Sequence, residues 1–409
     1  MTAAVPAPFV RLRPQPAGIY PPPAAFLLLA EDVDASAVLS LMSGDPKALP
    51  PGSARFYRLA LDGRIDAAYE SIDGDRAIDF WNRFILRPDL PTYETLRSMV
   101  PPEMLPLAGA AAFAAGLIDR FPASEGLDGE LQALVLLTAA SHAIERDEPA
   151  RAIDLLEQAL AHAESPSPLL AAQILHQLGT LEREQDPEKA VERYRHAIRL
   201  AGDTPLVSLR AELWLNLGLS WQHAARGRRG ALLEAAKALQ ESIRCGLSLE
   251  NLPQMYALAQ NSLALTYLAM PARDASDQLR MGIAVQCLRE ALKVFHRDTH
   301  TEMWASTQLN LANALQYLPS SHPEDNLRQA VDLYEELLEV RSAALDPLGY
   351  ARLLANQANA LAHLGIFAPA LEKLNQAHKL FHWHGEPGMA ASVLELAAEV
   401  NARLGERTA

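Results

Sequence analysis

The chain has 409 residues, with 50 acidic against 36 basic side chains, a net charge of −14 and two cysteines. That length allows about two to four domains and a sizeable core. Two cysteines exclude a disulfide scaffold and any multi-cysteine metal site. The acidic balance argues against a nucleic-acid partner, whose footprint is basic.

Apolar residues make up 49% of the chain but aromatics only 6%. Alanine and leucine dominate, β-branched residues are scarce, and this balance predicts an all-α protein. Residues 1–23 carry Pro6, Pro8, Pro14, Pro16 and Pro21–Pro23. They read as an extended or polyproline tail, either laid over the first helices or free as an interaction ligand. Ala24–Ala30 (AAFLLLA) imitates a short signal-peptide core. Several prolines precede it and Glu31-Asp32 follow at once, so the expected location is cytoplasmic.

Residues 24–127 read as a helical region broken by prolines, with helices over 24–42, 53–61, 64–72, 76–86, 92–99 and 103–120. Phe56–Ile72 looks like two short helices turned at Asp62-Gly63. The longest apolar run, Met104–Ile118, is shorter than the ~20 residues a membrane span needs. It is diluted by Ala and Gly, and the expectation is a buried helix and no membrane partner.

After Leu127 long amphipathic segments alternate with short breaks, and residue size repeats. Every second helix carries a small residue, a large one four later, and usually another small residue three after that. The triads are Ala152/Leu156/Ala159, Ala190/Tyr194/Ala197, Ala235/Leu239/Ser242, Ala284/Leu288/Ala291, Ala330/Tyr334/Leu337 and Ala370/Leu374/Ala377. First helices carry an apolar residue followed by a small one, most clearly in Trp214-Leu215-Asn216-Leu217-Gly218-Leu219-Ser220-Trp221. Antiparallel helices approach closely only where small residues face each other, and each hairpin leaves an apolar face for the next one to bury.

On Trp214, Leu217, Gly218, Trp221 and these triads, the chain resembles the tetratricopeptide repeat family. The first alanines of the triads are 38, 45, 49, 46 and 40 residues apart. That is longer than the family's usual 34, and it looks like a long-period bacterial subgroup. Trp304-Ala305-Ser306-Thr307-Gln308-Leu309-Asn310-Leu311-Ala312-Asn313 follows that subgroup's pattern, and Tyr350-Ala351 to Leu361 repeats it. The resemblance implies a right-handed α-α superhelix. About six hairpins would span 128–385, with a capping helix in 386–409.

In this family the first helices line the concave groove. Aligned on the small residue, the groove candidates are Asn216, Asn310, Asn313, Gln316, Arg352, Asn356, Asn359 and His363. The same alignment adds Ser306, Tyr317, Glu212, Gln222, His223, Gln173, His176, Thr180 and Arg183 as groove positions. An amide can both donate and accept, so a ladder of amides suits an extended peptide backbone. Arg352 could hold a carboxylate bidentately. The same asparagines could instead bridge neighbouring repeats.

Other chemistry is sparse. His378 and His382 stand one turn apart with His384 following, a spacing that could share a metal or simply complement the helix dipole. Arg226-Gly227-Arg228-Arg229-Gly230 is a compact basic run, read as a solvated loop or a contact for an acidic partner. Cys245 and Cys287 read as buried free thiols. No phosphate loop, dinucleotide pattern or nucleophile elbow is present, so neither catalysis nor a cofactor is expected.

The expected function is a non-catalytic scaffold that binds a partner protein segment in the groove. Alternatives are an assembly or maturation chaperone for a multisubunit enzyme, a regulatory sensor of a peptide or small ligand, and an enzyme with a site in the N-terminal region.

Overall fold

A computed structural model of the chain describes residues 27–30, 33, 36–37, 55–123, 127, 129–204, 206–270 and 276–408. Among the described residues every regular element is a helix and no strand forms. The tail 1–23, most of the helix expected over 24–42, and the loop from Pro271 lie outside them. The chain divides into two compact units, Met1–Ala224 and Ala225–Ala409.

The first unit begins with short helices: α1 (Arg55–Leu61), α2 (Ile65–Glu70), α3 (Ala77–Leu86), α4 (Leu90–Met99) and α5 (Leu105–Ala114). The expected break is there, with Gly63 at φ 75°, a value that costs glycine little. Their core is formed by Trp81, Phe84, Leu96 and Met104, all 1% exposed or less. The helix expected to start at residue 103 is a short 3-10 turn over Pro102–Met104 followed by α5, which ends before Gly116 at φ 70°.

Residues 27–30 correct the sequence reading. They are buried as expected of an apolar run, but they are not helical. The Leu28 amide donates to Asn82 Oδ1 at 3.2 Å, and Asn82 Nδ2 donates back to the Leu28 carbonyl at 3.2 Å. Tyr57 Oη also donates to the Leu28 carbonyl, at 2.9 Å, and accepts from the Ala30 amide at 2.9 Å. Side chains far along the chain thus take the backbone bonds that a helix would have made for itself.

The unit continues with α6 (Gly129–Glu145), α7 (Pro149–Ala163), α8 (Pro168–Glu182), α9 (Pro187–Ala201) and α10 (Val207–Ala225). The second unit holds α11 (Arg229–Arg244), α12 (Pro253–Leu268), α13 (Ser276–Leu292), α14 (Thr301–Tyr317) and α15 (Pro323–Val340), then α16 (Pro347–His363), α17 (Phe367–Trp383) and α18 (Pro387–Thr408). Each unit is a run of helices packed on their sequence neighbours, the hairpin stack of an α-helical repeat solenoid. Proline opens seven of the helices after residue 145, where its missing N–H costs no bond. Asp186 and Asp346 cap α9 and α16 through the Lys189 and Gly349 amides at 3.0 and 2.8 Å.

All three residues of every triad are fully buried. The tightest contact lies between α8 and α9. A Cβ built on Gly179 would meet the Tyr194 ring at 2.6 Å, closer than carbon atoms pack. The small residue is therefore required by the large one opposite.

A charged cluster ties three helices of the first unit. Glu182 of α8 is buried, with side-chain exposure of 4%, and takes Lys189 Nζ at 2.6 Å and Arg193 Nε at 3.1 Å from α9. Arg193 also pairs with Glu157 of α7. A buried carboxylate left without these partners would carry a large desolvation cost.

Gly179→Ala should destabilise the first unit by about 1–3 kcal/mol through overpacking. Placing leucine at Tyr194, the residue four other triads use, should return part of that loss. Thermal melts of the two single variants and the double variant check this; strictly additive losses would show that the two residues do not collide.

Candidate functional site

Measured from the small residues Ala264, Ala312 and Ala358, positions −6, −2, +1 and +5 share one side of a helix. On α12 and its end these are Leu258, Ser262, Leu265 and Ala269. On α14 they are Ser306, Asn310, Asn313 and Tyr317, and on α16 Arg352, Asn356, Asn359 and His363. In all three helices the first and last of the four are exposed. The three helices are linked in order along this run, through Thr307 Oγ1 donating to Asn261 Oδ1 at 3.4 Å and Asn356 Nδ2 donating to Asn313 Oδ1 at 3.1 Å.

The expected amide ladder separates into two sets. One set is satisfied internally. Tyr334, the large residue of the α15 triad, donates its hydroxyl to Asn313 Oδ1 at 2.6 Å and accepts from Gln316 Nε2. Asn359 Nδ2 donates to Gln316 Oε1 at 3.2 Å and to the Tyr317 hydroxyl at 3.5 Å. Burial pushes the Tyr334 hydroxyl well above its ordinary pKa, so it stays a donor. Asn313, Gln316, Asn356 and Asn359 are thus the bridge between hairpins that the sequence reading left open as one alternative.

The other set has no hydrogen-bond or ionic partner among the described residues. It consists of Ser306, half-buried Asn310, and exposed Arg352 and His363. Beside it, on the preceding hairpin, stand Leu258 and Leu265, each 37% exposed. Neither leucine is among the groove candidates of the sequence, although the spacing that selects Asn310 and Arg352 also selects them in α12.

Asn216 lies in the first unit and is fully engaged. Its Oδ1 accepts from Arg183 Nη1 at 2.8 Å, and its Nδ2 donates to the Glu212 carbonyl at 3.0 Å and lies 3.3 Å from His176 Nε2. Tyr194 repeats the role of Tyr334: its hydroxyl lies 2.8 Å from Thr180 Oγ1 and donates to the His176 carbonyl at 3.2 Å. Burial, with Arg183 nearby, lowers the His176 pKa against the opposing pull of Glu212.

The remaining candidates show no assembled chemistry. The His378 and His382 rings stack with centroids 6.0 Å apart, and no group of three His, Cys, Asp or Glu side chains fit to hold a metal occurs among the described residues. Cys245 and Cys287 are free thiols. Cys287 is buried, and burial pushes its pKa up to about 11, far from a reactive thiolate. The basic run forms a tight turn, with Arg226 at φ 43° and Gly227 at φ 78°. Trp304 is buried core, while half-buried Trp221 lies under the Arg195 guanidinium at 5.1 Å. No described helix is long and apolar enough to cross a membrane.

No protein-family model matches the chain, and no curated protein matches it. Among solved structures it is similar to the apo form of RapI, at 12% identity over 67% of this chain and 99% of that one, with a TM-score of 0.44. It is also similar to a Rap protein complexed with competence and sporulation factor, at 14% identity, 86% and 97% coverage and a TM-score of 0.41. The Cut9–Hcn1 hetero-tetramer of the APC/C matches at 17% identity, 90% and 60% coverage and 0.45.

Tyr334→Phe strands the Gln316 amide and one lone pair of Asn313, and should cost about 1–2 kcal/mol in denaturant unfolding. In an Asn313→Ala background that loss should shrink, because the two groups share a bond. His176 carries a lowered pKa, so the unfolded chain binds its proton more readily. Stability should therefore fall as pH drops below about 6.5, the ordinary histidine value. His176→Asn should lose that component of the pH dependence in melts between pH 7.5 and 5.

Proposed function

We propose that the chain is a non-catalytic scaffold that takes an extended segment of a partner protein along the α12–α14–α16 face of its second unit. The observation that carries this is the run of unpaired groups on one face of three successive first helices, beside amides that bond to one another. Asn310 offers a donor and an acceptor to a peptide backbone, Ser306 adds a hydroxyl, and Arg352 offers an uncommitted guanidinium. Leu258 and Leu265 supply an exposed apolar step next to them.

The wired amides change the role given to each residue. Asn313, Gln316, Asn356 and Asn359 hold the helices in register and set the spacing of the face. Asn310, Arg352 and His363 contact the partner. The matching segment carries an apolar side chain for the leucines and a carboxylate for Arg352, a bidentate pairing that is stronger than a neutral hydrogen bond. A cation in an acidic chain also discriminates among partners by charge.

Phage-displayed linear peptides selected on the full chain should converge on sequences with an apolar residue and an acidic one. The selected peptide should lose about tenfold or more in affinity to Arg352→Glu, and less to Asn310→Ala. Arg328→Glu, on the exposed side of α15, should leave affinity unchanged. Equal binding by wild type and Arg352→Glu would sink the proposal.

A further inference from the structure

The first unit contains a cavity of about 800 Å³, within the size range of pockets that enclose small organic ligands. It lies between the N-terminal helices and the first two hairpins. Trp81 and Phe84 of α3, Leu107 and Phe113 of α5 and Leu137 of α6 give it apolar walls. The Phe113 ring meets His142 of α6 edge-on at 4.7 Å, which fixes that side.

The charged groups of this cavity that lack a strong partner are carboxylates, and the neutral ones are two hydroxyls and the amides of Gln173 and Gln177. Thr138 and Ser141 donate their hydroxyl protons to the Leu134 and Leu137 carbonyls at 3.0 and 3.1 Å, leaving only lone pairs free. On the facing helix, Gln177 Oε1 is buried and unpartnered. Asp119 and Glu145 line the cavity and are exposed, which places both at its opening. Asp119 has no partner among the described residues, and Glu145 meets only His142, at 3.8 Å. The one arginine of the lining, Arg146, is already paired with Glu148 at 3.2 Å.

From this imbalance we infer that the cavity is a binding site for a small organic ammonium. An apolar, ring-sized body fills the space between α3, α5 and α6. The protonated amine sits at the mouth, where it supplies the donor that Asp119 lacks and a closer one than His142 offers Glu145. An organic anion of the same shape meets two carboxylates and no uncommitted cation. Thr138 and Gln177 occupy, relative to Ala140 and Gly179, the position that Asn310 holds relative to Ala312. In the first hairpins the N-terminal helices thus cover residues that the second unit leaves open to a protein segment.

Calorimetric titration of the full chain with tryptamine, 3-ethylindole and indole-3-acetate tests this. Tryptamine should bind about tenfold more tightly than 3-ethylindole, and indole-3-acetate should bind most weakly. Replacing both exposed acids, Asp119→Asn with Glu145→Gln, should bring tryptamine and 3-ethylindole to near-equal affinity without disturbing the fold. Ala111→Trp, which fills the cavity, should abolish binding of both. Failure of tryptamine to bind, or a preference for it that survives loss of both acids, would overturn the assignment.

Discussion

Two helices lie as close as α8 and α9 only where one of them offers almost no side chain. Gly179 faces the ring of Tyr194 with no room for a single extra carbon, and the same logic runs through every hairpin, where the first alanine of each triad is fully buried. Close approach aligns the helices, and alignment brings out the remaining order: which side chains share a face, which meet across hairpins, and which are left for something else. The abundance of alanine is the compositional trace of this constraint. It also explains how a chain poor in aromatics can bury so much of itself: contact is made by backbone approach more than by large side chains.

The hairpins were legible in the sequence because the packing rule is written in residue size, and size survives when identity does not. Ala284/Leu288/Ala291 and Ala370/Leu374/Ala377 share that pattern, and both are fully buried as read. The segment 27–30 was not legible, because its backbone partners, Asn82 and Tyr57, are remote in sequence and nothing local announces them. A run such as Leu27-Leu28-Leu29 satisfies a helix pattern and an extended core segment equally well.

The candidate face was legible in position but not in role. Spacing put Asn310, Asn313, Asn356 and Asn359 on one side of their helices. It could not tell a free amide from one already bonded, since that depends on the neighbouring hairpin. The deciding atom is the hydroxyl of Tyr334. As a large residue in a triad it was read only for its bulk, yet it binds two first-helix amides at once. Tyr194 likewise meets the Thr180 hydroxyl and the His176 backbone carbonyl. Where a leucine fills that place no such hydroxyl exists, so tyrosine in a triad is a usable sign that polar groups above it are spoken for.

The charge cluster around Glu182 has a consequence for how such a stack can be rearranged in evolution. A hairpin held only by alanine and leucine can be duplicated, deleted or moved, because one apolar face serves as well as another. The hairpin of α8 and α9 is different. Its buried carboxylate is matched from within by Lys189 and Arg193, and Arg193 reaches back to Glu157 of the hairpin before it. Exchanging the preceding hairpin for one without that acid would leave Arg193 with Glu182 alone, a carboxylate it already shares with Lys189. Along this stretch the neighbour that fits best is one that keeps an acid at the place of Glu157.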